Sequence, residues 1–81
     1  MPRYYFDFAD EKGLLVDDEG MELRNLEAVQ DEAARCLADM TRDAAARNFK
    51  GRSVQQMAVK VRDDEGTVLH ARLSFEIDRD N

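Results

Sequence analysis

The sequence predicts an α+β domain of order β-β-α-β-β, with four strands in one antiparallel sheet and a single amphipathic helix packed on one face. Three observations lead there. Residues 3–8 and 56–77 alternate apolar and polar side chains with the period of a strand, whereas residues 26–44 repeat their apolar positions with the period of a helix. Short acidic segments ending in glycine punctuate the alternating stretches: Asp10-Glu11-Lys12-Gly13, and the tetrapeptide Asp-Asp-Glu-Gly twice, at 17–20 and 63–66.

The first strand places Tyr4, Phe6 and Phe8 on one side and Arg3, Tyr5 and Asp7 on the other. Beyond the glycine turn, Leu14 to Val16 return as the second strand. A three-residue loop of Glu11, Lys12 and Gly13 pairs Phe8 with Val16 and keeps Tyr4, Phe6, Phe8, Leu14 and Val16 on one face. The helix follows. At about 100° per residue, Leu26, Val29, Ala33, Cys36, Leu37, Met40 and Ala44 form one stripe. Asn25 suits the N-cap and Glu27 the first turn, where the helix dipole favours negative charge. Asp31 with Arg35, Asp39 with Arg42, and Asp43 with Arg47 are spaced to pair on the solvent side, and Lys50 and Gly51 suit the last turn and the C-cap.

The final segment reads as a long hairpin with one wet side. Met57, Val59 and Val61 alternate before the turn, and Leu69, Ala71, Leu73, Phe75 and Ile77 after it; Lys60, Arg62, His70, Arg72 and Glu76 take the other face. A two-residue loop would set Val61 opposite His70. A three-residue loop of Asp64, Glu65 and Gly66, with Gly66 at positive φ, pairs Val61 with Leu69, Val59 with Ala71 and Met57 with Leu73, and is therefore expected. The tetrapeptide at 17–20 fails this test, because such a loop would oppose Val16 with Glu22; it is read as the end of a short strand turning toward the helix.

At 81 residues the chain is one domain, 1–81, and at 43% hydrophobic and 37% charged it is a polar one with room for only a thin core. Self-association as a homodimer is the expected supplement. The net charge of -6 argues against a general electrostatic grip on nucleic acid or an anionic membrane. Cys36 is the single cysteine and forms no internal disulfide, which suits a reduced, cytoplasmic protein; no run approaches the roughly 20 apolar residues of a membrane span.

Side chains that could carry chemistry are few. The acidic tetrapeptides lack the alternate spacing of a calcium loop, so no metal and no cofactor is expected. Cys36 lies on the apolar helix stripe as a core residue. His70 has only Thr67 and Ser74 as nearby hydroxyls, which make no catalytic constellation, and no catalytic residue is nominated. What stands out is a basic face with an aromatic, formed by Arg3, Tyr5, Lys60, Arg62, His70 and Arg72, on an acidic protein. The leading expectation is a non-catalytic module acting through its sheet, by self-association or by binding a protein partner, with Tyr5 and Val68 as apolar contributions. The alternative is binding of an anion or single-stranded nucleic acid on the basic face.

The opening MPRYYFDF, the segment DDEGMEL and the helix LEAVQDEAARCL resemble a family of short uncharacterised alphaproteobacterial proteins, a domain-of-unknown-function family that opens with Met-Pro-Arg-Tyr-Tyr-Phe. The resemblance covers nearly the whole chain and concentrates at residues 3–6 and 18–23. It implies no activity, cofactor or site residue. A weaker similarity, in a hairpin preceding a helix rich in alanine and glutamate, is to the antitoxin class of small β-β-β-α proteins, which would imply an RNA-cleaving toxin as partner.

Overall fold

The computed structural model describes residues 1–46 and 52–78. The elements are β1 (Arg3–Asp10), β2 (Gly13–Leu15), β3 (Met21–Glu22), α1 (Leu26–Ala46), β4 (Arg52–Asp63) and β5 (Gly66–Asp78). The expected α+β architecture is present, with one strand more than the alternation suggested. All strands are antiparallel; the sheet runs β2-β1-β4-β5, and β3 pairs with the start of β1.

The chain returning along β1 is interrupted rather than ended at the acidic loop. From Tyr4 to Phe8 strand β1 advances four residues, while its partners advance six, from Met21 back to Leu15, so the return path carries two extra residues. Residues 16–20 absorb them. Pairing resumes as Arg3 with Glu22, and Leu23 N–H donates to Pro2 O at 3.1 Å. A two-residue strand has no sequence period to display, which is why β3 was not anticipated.

Both hairpin loops differ from expectation in the same way. Asp10 pairs with Gly13 and Asp63 with Gly66, so each loop has two residues rather than three. In the second hairpin the missing residue reappears as a bulge. Arg62 pairs with Thr67 but Val61 with Leu69, leaving Val68 extra, and the apolar pairs Val61:Leu69, Val59:Ala71 and Met57:Leu73 form as expected. Side-chain parity demanded one unpaired residue and did not say where. The first hairpin has no such bulge: Phe8 faces Leu15, not Val16, and Leu14 faces Ala9 on the other side of the sheet. Gly13 and Gly66 have φ of 145° and 132°, values that side-chain-bearing residues rarely adopt.

The core lies between α1 and the inner strands. Tyr4 and Phe6 of β1, Met57, Val59 and Val61 of β4, and Val29, Ala33 and Leu37 of α1 are buried together. The three helix residues are spaced by four, a single ridge, so the buried contact is narrower than the sequence stripe. Leu26 is 55% exposed, and Cys36 and Met40 are half-buried, so Cys36 lies at the margin of the core that the sequence assigns it to. Val68, Leu69, Ala71, Leu73 and Phe75 are partly buried against this core. Asn25 caps α1, its Oδ1 accepting the Ala28 N–H at 2.9 Å. Arg42 pairs with Asp39 as expected, but Arg35 lies 3.7 Å from Glu32 instead of pairing with Asp31. The expected Asp43–Arg47 pair and the Lys50 and Gly51 cap fall outside the described residues. Among the described residues no helix is long and apolar enough to cross a membrane.

Candidate functional site

Strand register brings most of the sequence-predicted basic face together. Tyr5 lies opposite Arg62, Asp7 opposite Lys60, Lys60 opposite His70, and Ala58 opposite Arg72. Arg3 joins from the end of β1. In their midst sits a group that the alternation assigned merely to the wet side: Asp7 is only 4% exposed. Arg62 covers it, with Nε donating to Asp7 Oδ2 at 2.9 Å and a terminal nitrogen 3.4 Å from Oδ1. The same guanidinium donates to Asp17 O at 2.8 Å and stacks 4.6 Å from the Tyr5 ring centre. Arg3 is also engaged, donating to Glu19 O at 2.8 Å and lying 3.9 Å from Glu22.

Burial alone would raise the Asp7 carboxyl, but the Arg62 hydrogen bond, the Asp17 N–H and the charges of Arg62 and Lys60 outweigh it and hold the group below its ordinary 3.8. Asp7 is therefore a carboxylate, and it neutralises part of the basic face from within. Arg3 and Arg62 thus have structural partners. Lys60, His70 and Arg72 border a depression of about 220 Å³ that Asp7 and Leu14 also line. An aspartate in the middle of an aromatic-rich strand, where β propensity disfavours it, was the available signal for Asp7.

The acidic loop connects this network to the missing ladder positions. Asp17 Oδ2 accepts the Phe6 N–H at 3.1 Å, and Oδ1 accepts the N–H groups of Glu19 and Gly20 at 3.0 and 3.1 Å. Its own N–H donates to Asp7 Oδ1 at 2.9 Å. A side chain thus substitutes for a ladder partner where residues 16–20 leave the strand. Burial raises the Asp17 carboxyl too, but these three N–H donors and the Arg62 charge lower it below 3.8. Gly20 completes the loop at φ 73°; an added Cβ would lie 2.9 Å from Arg3 Cγ and Tyr5 Cε2 and 3.0 Å from Tyr4 O, so both the conformation and the space require glycine. Among the described residues no three His, Cys, Asp or Glu side chains are grouped to hold a metal ion.

A second surface was not nominated from the sequence. Leu14 and Leu15 of β2 and Val16 just beyond it are 63%, 69% and 55% exposed, and the outer edge of β2 has no partner among the described residues. Between β2 and α1 runs a groove of about 470 Å³, floored by Phe8, Leu15, Cys36 and Met40 and bordered by Asp39 and Asp43. A smaller hollow of about 310 Å³ shares Phe8 and Leu15 and continues over Val16 to the acidic loop. Burial, then the charges of Glu32 and Asp39, raise the Cys36 thiol above 9.0, so it contributes here as an apolar group and not as a thiolate. Sequence reasoning missed this surface because it assigned Leu14 and Val16 to the buried face.

The family described as Domain of unknown function (DUF6894) matches residues 3–75. The chain belongs to this family. The DUF6894 match takes in Asp7, Asp17, Gly20 and Arg62, the β2 edge, and every element except the last three residues of β5. No curated protein and no solved structure matches the chain.

Proposed function

We propose that this chain is a non-catalytic interaction module that takes a second polypeptide along the outer edge of β2. The observation that carries the reading is the run Leu14, Leu15 and Val16, more than half exposed along the end strand β2 and just beyond it, beside an apolar groove. An edge strand presents unpaired backbone N–H and C=O groups that an extended chain can complete, while the groove accepts alternate side chains. The other outer strand, β5, is less suited: it carries the Val68 bulge and the side chains of His70, Arg72 and Glu76. The second polypeptide is either another copy, which the thin core favours, or a different protein.

The test is light scattering together with amide-shift titration of the Leu15→Glu variant. Leu15 is exposed, so the variant is expected to fold with stability within about 0.5 kcal/mol of the parent and to lose association at the edge. Association undiminished by Leu15→Glu would contradict the reading. The second reading, an anion or single-stranded nucleic-acid site, is favoured by Lys60, His70 and Arg72 around one depression. Asp7 weighs against it, and its sign is binding of mixed oligonucleotides at low salt that is lost on Arg72→Glu.

A further inference from the structure

We infer that the occupant of the β2 edge is a second copy of this chain, paired antiparallel about a twofold axis that passes beside Leu14. The inference rests on the edge-binding reading above and adds the identity of the partner and the register. Its basis is the sequence of the edge itself. The Phe6 N–H points toward the return path, to Asp17, so by alternation the backbone groups of Phe8 and Asp10 point the same way and meet those of Leu15 and Gly13 across the ladder. Leu14, between those two, turns its own N–H and C=O outward. Two copies of Leu14 set face to face exchange both hydrogen bonds, the arrangement that a twofold axis requires.

The side chains complement one another in the same register. Gly13 of each copy lies opposite Leu15 of the other, as a closely spaced pair without ladder hydrogen bonds. Gly13 and Leu15 both line the groove of about 470 Å³, and an added Cβ at Gly13 would meet nothing within 4 Å. The Leu15 of a second copy therefore has room to lie across Gly13 at the mouth of the groove. A strand that complements Gly-Leu-Leu in this way is bulky opposite the glycine and bare opposite Leu15. Read antiparallel, that is Leu-Leu-Gly, which is β2 itself.

On the outer face the two Leu14 side chains, each 63% exposed in the single chain, meet across the axis. Leu14 and Leu15 beside the groove make a contiguous apolar patch of the kind that single chains rarely leave open. Three strand residues a side are few against the roughly 20–30 of a standard interface, so the dimer is weak, with a dissociation constant on the order of 10–100 μM. Asp10, Asp39 and Asp43 border the groove of each copy, and pairing brings these like charges toward one another. Salt screens that repulsion and tightens the dimer, whereas a partner held by opposite charge is loosened by it.

The experiment is sedimentation equilibrium on the full chain across micromolar to millimolar concentrations, together with disulfide trapping. The expected result is a monomer and dimer in equilibrium, weakened at least about tenfold by Leu15→Glu and tightened about threefold between about 0.05 and 0.5 M salt. Trapping in a Cys36→Ala background reads the register. Leu14→Cys sets two thiols on facing strand residues with Cα atoms about 5.5 Å apart, within bridging range. It is expected to form a covalent dimer at least about tenfold faster than Asp64→Cys, at the far β4–β5 turn. Equal trapping of the two variants, or a dimer that salt loosens, would overturn the inference; a loss on Leu15→Glu would still leave the β2 edge as the binding surface. A chain that stays monomeric while a peptide alternating Leu with Ser shifts the amides of Gly13 to Val16 would overturn the second copy and keep the edge. A monomer whose amides that peptide leaves unmoved, or a dimer that Leu15→Glu leaves undiminished, would overturn both.

Discussion

Asp17→Ala is expected to destabilise the fold by about 2–3 kcal/mol, while Asp63→Ala, in the identical tetrapeptide, costs about 0.5–1 kcal/mol. The difference lies in what each carboxylate holds. Asp17 accepts N–H groups from Phe6, Glu19 and Gly20, the first of them across the sheet from β1. The Asp63 side chain, among the described residues, accepts the Glu65 N–H alone, within an exposed turn, at 2.8 Å. Urea unfolding of the two variants beside the parent measures the contrast. Losses of equal size would mean that the first loop is a turn like the second. Because residues 16–20 lead directly out of β2, Asp17→Ala is also expected to loosen the Leu14 to Val16 edge, seen as faster amide exchange there.

Asp7→Ala is expected to cost about 2–3 kcal/mol, because it removes the acceptor of the Asp17 N–H and leaves Arg62 without its carboxylate. Replacing Arg62 by Met as well is expected to restore part of the loss, since no guanidinium then remains unpaired over the sheet. If the double variant were as unstable as the sum of the two single ones, Asp7 and Arg62 would not act as a unit. The acid limb of the stability curve carries the same information. Asp7 and Asp17 both have folded values below 3.8, so between those values and 3.8 the unfolded chain binds more protons than the folded one. Their stabilisation is therefore complete above about pH 5, and is lost as pH falls through 3.8 toward the folded values. Asp7→Asn and Asp17→Asn are each expected to flatten that limb; an unchanged slope would mean that neither carboxylate is held below its ordinary value.

Period and parity made the fold legible, and their silence accounts for what was missed. Alternation identified β1, β4 and β5, and the register of Met57, Val59 and Val61 against Leu73, Ala71 and Leu69 followed from it. It could not distinguish a three-residue loop from a two-residue loop plus the Val68 bulge, since both restore the same parity. In the three-residue β2 there was too little pattern to arbitrate, so Leu14 and Val16 were assigned inward and the exposed edge went unseen. The basic face was visible because Lys and Arg alternate with apolar residues on the last hairpin. Its internal neutralisation was not, because Arg62 and Asp7 are 55 residues apart and meet only through the β1–β4 pairing. Hydrogen bonds from one side chain to distant backbone, such as Asp17 to Phe6, leave no period in the sequence.

The proposed binding surface is the outer edge of β2 and not the outer face of the sheet. Amide-shift mapping of the isotope-labelled chain during titration with an extended peptide alternating Leu with Ser tests it most directly. Shifts concentrated at Gly13 to Val16 and at Cys36 to Met40, with Lys60, His70 and Arg72 unmoved, are the predicted result. Shifts centred on Lys60, His70 and Arg72, with β2 unmoved, would contradict it.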